Sequence, residues 1–197
     1  MDKAVDGVIL AAGTSRRMER PKPLLAVGDE TFAERAARTL AQAGCRRTYL
    51  VVGPDAGWAE ELAQAEGVVV VVNPQAGSEQ IDSLRLVVGR LPEDCDAILV
   101  LPVDLPLVTP ATAAAVVDAY RREPGPLFLP FHNTVAGHPV LLDRALFDEL
   151  SDPALEEGVR SLIMRHARDL KEVKVMDPGI LIDIDTPDDY WRYIEDK

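Results

Sequence analysis

The sequence predicts an α/β fold, a mostly parallel Rossmann-like sheet with helices on both faces. Two observations carry this. Short apolar runs alternate with amphipathic ones from end to end, the βαβα order of parallel sheets. Several apolar runs are continuous and β-branched, as strands buried on both faces require; Val68–Val72 is five valines. The length of 197 residues, with 47% hydrophobic, predicts a single domain spanning residues 1–197.

In chain order, Gly7–Ala11 reads as a buried strand. Thr31–Ala43 reads as a helix, with Thr31 and Glu34 in a capping-box pattern and Gly44 at its end. Thr48–Val52 is a second strand, Asp55–Gln64 a short helix stopped at Gly67, and Val68–Val72 a strand with both faces covered. Ser78–Leu91 is a helix and Ala97–Leu101 a buried strand. Thr109 and Pro110 are an N-cap and first-turn proline that open Ala111–Arg121. After Pro124 the pattern shortens: strands Leu127–Phe131 and His138–Leu142, helices Arg144–Leu150 and Glu157–Ala167, then strands Lys171–Val175 and Ile180–Ile184. Thr186-Pro187 caps a last helix, Asp188–Glu195.

Composition excludes several classes. The net charge of −12 disfavours nucleic acid and anionic membranes as partners. No apolar run approaches the ~20 residues of a membrane span, and none near the start resembles a signal segment, so the cytoplasm is the expected compartment. Cys45 and Cys95 lie in no metal-binding spacing and are expected to be reduced, mostly buried thiols. Trp58 and Trp191 fall in helical patterns and are expected to pack.

In open parallel sheets, ligands bind beyond the carboxyl ends of the strands. The first strand runs there into Leu10-Ala11-Ala12-Gly13-Thr14-Ser15-Arg16-Arg17-Met18-Glu19-Arg20-Pro21-Lys22. Small residues at 11–15 let backbone N–H groups approach an anion closely, with Gly13 free to adopt a positive φ. Arg16, Arg17, Arg20 and Lys22 then supply cations, so the loop suits a triphosphate. No GxGxxG or GxxxxGK[ST] stretch competes for that role. Two further strand ends carry acid: Asp104 in Pro102-Val103-Asp104-Leu105-Pro106, and Asp183 and Asp185 before Thr186-Pro187. Asp104 and Asp185 are the pair expected to hold Mg²⁺, which favours one or two carboxylates together with phosphate oxygens. Asp188 and Asp189 read as first-turn helix acids.

LAAGTSRRMERPKPLL, PVDLP and DIDTPDDY, in that order, resemble the signature segments of the nucleotidyltransferases that include molybdenum cofactor cytidylyltransferase and molybdenum cofactor guanylyltransferase. The first segment is also similar, more loosely, to the loop of sugar-nucleotide pyrophosphorylases. The resemblance runs from about Gly7 to Trp191. It implies a fold of nucleotide-diphospho-sugar transferase type and a transfer from an NTP to a phosphorylated acceptor. By that match Arg17 and Lys22 are the catalytic cations, Leu10, Ala11, Ala12 and Gly13 border the nucleotide, and Asp104 and Asp185 bind the metal. Asn73, Pro74, Ser83 and Leu84 match the segment beside the base, and Gly137-His138-Pro139 is similar to one on the acceptor side, making Ser83 and His138 binding residues. Glu19 and Glu79 stand near positions where the family usually has Gly, and Asp82 where it has Ser.

Ala12 gives LAAG, as in the cytidylyltransferase relatives, rather than LAGG, so CTP is expected over GTP, with molybdopterin as acceptor. Two other readings stay open: the same chemistry on a sugar 1-phosphate, and a catalytically degenerate nucleotide-binding regulatory module marked by Glu19, Glu79 and Asp82.

Overall fold

The computed structural model describes residues 3–13, 15, 17–18, 20–75, 79–152, 154–155 and 157–196. Strand β1 (Val5–Ala11) is buried throughout. Beyond its loop come a 3-10 turn at Lys22–Leu24 and a small hairpin, β2 (Ala26–Val27) with β3 (Glu30–Thr31). Helix α1 (Phe32–Gln42) opens with the Thr31–Glu34 capping box and gives way to Gly44 at φ 87°, as the sequence predicts. Strand β4 (Thr48–Val52) is buried, and α2 (Ala59–Leu62) is a single turn, shorter than expected, with no side-chain cap at its start.

Strand β5 (Val68–Val72) pairs with β4 and forms one edge of the sheet. Val69 is 39% and Val72 51% exposed, so burial on both faces is not what the five valines achieve. A β-branched run favours extended backbone whatever covers it, so composition does not separate an edge from an interior strand.

Helix α3 (Gln80–Val88), strand β6 (Ala97–Pro102) and helix α4 (Pro110–Arg122) follow, the last capped by Thr109. Strands β7 (Leu127–His132), β8 (Val135–Ala136) and β9 (Val140–Asp143) bring antiparallel pairing, because β9 inserts between β6 and β7. Two 3-10 turns, Arg144–Leu146 and Asp148–Ser151, replace the expected helix over 144–150. Helix α5 (Val159–Arg165) precedes β10 (Leu170–Val175), which pairs parallel with β7. The sheet order is β10-β7-β9-β6-β1-β4-β5, with β8 on β7.

The expected strand over Ile180–Ile184 is instead a 3-10 turn, Pro178–Leu181, and an unladdered stretch. Its backbone bonds go to two loops: Ile180 O accepts from His138 N at 3.2 Å, and Ile184 N donates to Asp104 O at 2.8 Å. Ile180 and Ile184 are buried, which explains the apolar pattern without a strand. Two glycines permit the approach. A Cβ on Gly137 would lie 2.3 Å from Ile180 O, and one on Gly179 2.3 Å from Leu107 O. The chain then closes with α6 (Pro187–Tyr190) and a π-helical turn, Trp191–Glu195. Trp58 packs against the core, but Trp191 is 59% exposed, against expectation.

Strand alternation divides the core between the sheet's faces. Ile9, Leu99, Phe32 and Val116 pack on one side, and Val8, Ile98, Leu84 and Leu142 on the other. Each such fully buried side chain contributes about 1.5–3 kcal/mol. Cys45 packs against the first cluster and Cys95 belongs to the second, and both are free thiols. Burial pushes each thiol up to about 12. Among the described residues, no helix is long and apolar enough to cross a membrane.

Candidate active site

Beyond the carboxyl ends of β1 and β6 lies a cavity of about 120 Å³. Leu10, Ala11, Ala12, Gly13, Ser83 and Asp104 line it, together with Lys22. Its floor is set by β1 and β6, which pair through Leu10 and Pro102, and by Val103 N donating to Leu10 O at 3.1 Å.

The loop after β1 folds back through Ser15. Ser15 Oγ accepts from Lys22 N at 2.9 Å, and Ser15 O accepts from Met18 N at 3.0 Å. Ser15, at φ 46°, is the left-handed residue here, whereas Gly13 does not have a positive φ. Gly13 instead leaves open space, with nothing within 4 Å of an added Cβ. Thr14, Arg16 and Glu19, and Ala76, Gly77 and Ser78 ahead of α3, lie outside the described residues.

The turn at Lys22–Leu24 aims Lys22 between the two acids. Its Nζ donates to Asp104 Oδ2 at 3.1 Å and to Asp185 Oδ1 at 2.5 Å. Arg17 Nη2 donates to Asp185 Oδ2 at 2.8 Å. Burial alone would lower the Lys22 pKa, but the bonds and charges from Asp185 and Asp104 outweigh it and raise the ammonium above its ordinary value. Asp185 is held below the usual carboxylate value, chiefly by its bond to Lys22. Asp183 is held above it, first by burial and then by the charges of Asp104 and Asp185. Asp189 caps the helix that follows, accepting from Thr186 N at 2.9 Å, so its role is local.

His138 does not line this cavity. It lines a neighbouring one of about 700 Å³ with Leu129, Val140, Ile163, Glu79 and Gln80. Burial pushes its pKa down, partly offset by the Asp104 carboxylate. Ser83 is buried and accepts from Asn73 Nδ2 at 3.3 Å. Asp82 Oδ2 accepts from Glu79 N at 3.3 Å, and Asp82 Oδ1 from Arg85 Nη1 at 2.9 Å, so Asp82 serves its own helix.

Arg17, Lys22, Asp104 and Asp185, far apart in the chain, are thus one ion cluster, with Leu10 to Gly13 and Ser83 around the adjoining cavity. Ser15 and Gln80 also line that cavity and were not singled out in the sequence. Ser15 lies within the stretch of small residues after β1. Gln80 carried no signal beyond standing three residues before Ser83. Among the described residues, no group of three or more His, Cys, Asp or Glu side chains is arranged to hold a metal by itself. The donor set fits a hard divalent cation that also takes substrate oxygens, since two carboxylates already converge on one positive charge.

Four ionic side chains and a cavity thus lie together at the carboxyl edge of a mostly parallel sheet flanked by helices. The chain belongs to the family described as MobA-like NTP transferase domain, whose pattern matches residues 7–170. It is 28% identical over 195 residues to the molybdenum cofactor cytidylyltransferase of Escherichia coli (strain K12), covering 95% of this chain and 94% of that one. It is 27% identical over 199 residues to the nicotine blue oxidoreductase of Paenarthrobacter nicotinovorans, covering 96% of each. The crystal structure of Rv0371c from Mycobacterium tuberculosis H37Rv superposes with TM-score 0.83 at 30% identity, covering 99% of both chains. A second structure of Rv0371c, a complex with manganese, gives TM-score 0.79 at 29% identity, covering 99% of this chain and 100% of that one.

Proposed function

We propose that this protein is a Mg²⁺-dependent cytidylyltransferase that joins CMP, taken from CTP, to the phosphate of molybdopterin and releases pyrophosphate. The observation that carries this reading is the convergence of Lys22 on Asp104 and Asp185 at the mouth of the Leu10–Gly13 cavity. The cytidylyltransferase relative and the Ala12 in LAAG support CTP, and the manganese complex of Rv0371c supports a divalent cation.

The acceptor is already anionic, so it needs no general base. Its phosphate oxygen attacks the α-phosphorus, and the bond from that phosphorus to the bridging oxygen of pyrophosphate breaks. Catalysis of this kind is alignment plus charge neutralisation. Lys22 and Arg17 offset charge on the α-phosphoryl group and the leaving pyrophosphate. Asp104 and Asp185 would hold Mg²⁺, which would supply Lewis-acid stabilisation of phosphoryl oxygens. Leu10 to Gly13 and Ser83 border the nucleotide. His138, kept neutral by burial, hydrogen-bonds the acceptor from the larger cavity. The largely apolar wall of that cavity suits a compact ring better than a polyhydroxylated sugar 1-phosphate. Pyrophosphate release from each NTP, with molybdopterin and with sugar 1-phosphates, tests the proposal. Absence of release with every pair would leave the degenerate nucleotide-binding module as the better reading.

A further inference from the structure

We infer that Gln80 touches both substrates and couples their binding, an inference that rests on the transfer reading above. Among the described residues, Gln80 is the one that lines both the cavity of about 120 Å³ and the cavity of about 700 Å³. It is the first residue of α3. Ser83, one turn further on, faces the nucleotide cavity, while Glu79 and Ile81 line the larger one. The two spaces therefore share Gln80 as a common wall residue.

A carboxamide suits that position. It carries two N–H donors and a carbonyl acceptor and has no charge. Lining both cavities, it has a donor or acceptor to offer one substrate in each. A carboxylate here would repel both phosphates, and an ammonium would attract both without fixing an angle between them. During transfer the acceptor oxygen bonds to the α-phosphorus as the bond to the bridging oxygen of pyrophosphate breaks, and Gln80 exchanges no proton. Its contribution is orientation of reacting atoms that must sit ~3–3.5 Å apart.

The position is also a clean one to change. The Gln80 side chain is exposed and makes no hydrogen bond to another described residue, and the first turn of α3 is tied instead by Glu79 N to Asp82 Oδ2 at 3.3 Å. Alanine is a strong helix former, so the helix survives the substitution.

The test uses the full chain, Mg²⁺, oxygen-free molybdopterin and a CTP analogue with a methylene bridge between the α- and β-phosphates. For the wild type, calorimetry should show the analogue tightening molybdopterin binding about tenfold, a typical coupling between sites. In Gln80→Ala this coupling should fall below about twofold, while affinity for the analogue alone changes less than about threefold. Turnover should fall by roughly 10- to 100-fold through lost alignment. Gln80→Asn, with the same group on a shorter stem, should not restore the coupling. A wild type that turns over, with equal coupling in Gln80→Ala or no coupling in either, overturns the inference and leaves the reaction standing. A wild type that releases no pyrophosphate from any NTP overturns the functional reading and this inference with it.

Discussion

The backbone N–H of Ile184 donates to the backbone carbonyl of Asp104 at 2.8 Å. That bond brings Asp185, the next residue, to where it shares the Lys22 ammonium with Asp104. The acid pair is therefore set by a main-chain contact rather than by the flexible reach of side chains.

Lys22→Ala should lower turnover by two orders of magnitude or more, because a charge contact realised in the transition state is worth about 3–4 kcal/mol. The fold should survive, since Lys22 lies on a short turn outside both core clusters. Steady-state kinetics beside a circular dichroism spectrum check both halves. Near-normal turnover would remove the loop from the mechanism.

Asp104 and Asp185 should act as one unit. Asp104→Asn and Asp185→Asn should each abolish metal-dependent turnover, and the double variant should be no worse than either single one. EDTA should silence the wild type and Mg²⁺ restore it. Full activity of Asp185→Asn at limiting Mg²⁺ would reduce Asp185 to a partner of Arg17 and Lys22.

Competition among CTP, GTP, UTP and ATP in the presence of Mg²⁺ should favour CTP. Ala12 lines the cavity of about 120 Å³, and on the transfer reading its methyl would narrow the space beside the base. A methyl so placed discriminates by about 1–3 kcal/mol. Tighter binding of GTP than CTP would reverse the base assignment and leave the reaction class intact.

Asp177 should support the fold in a pH-dependent way. Its carboxylate accepts from Thr109 N, Thr109 Oγ1, Thr112 Oγ1 and Gly179 N at 2.7–2.9 Å. Burial would raise its pKa, but these bonds outweigh that and lower it. The folded value lies below the unfolded one, so the stabilisation is full above about pH 4 and is lost as pH falls through the folded value. Asp177→Ala should cost roughly 1–2 kcal/mol at neutral pH, the scale of a lost helix cap. The gap in melting temperature between variant and wild type should close under acid, and a gap unchanged from neutral pH to strong acid would mean that the charge contributes nothing.

The repeating core was legible in the residues because periodicity and capping are local. Thr31 with Glu34, Thr109 with Pro110, and the strand at Thr48–Val52 all fall where the sequence predicts. The misreadings are non-local. Whether Val68–Val72 is an edge depends on what lies beside it, and whether Ile180–Ile184 is a strand depends on whether a ladder is within reach. Asp104 was legible as an acid beyond a strand end, and Asp185 only through motif order, since the strand expected before it is a turn. That Lys22 itself joins the two acids, and that Gln80 lines two cavities, follows only from packing.

The close approaches at Gly137 and Gly179 place the turn at 178–181 by main chain, leaving no room even for a methyl group. The larger cavity, by contrast, is walled by side chains such as Val140 from β9 and Ile163 from α5. Divergence can therefore work on the two at different rates. Substitutions along that wall alter what is admitted while the acid pair stays in register. On the transfer reading, a lineage with this architecture would acquire new acceptors by single changes along that wall, whereas a side chain at either glycine collides with main chain.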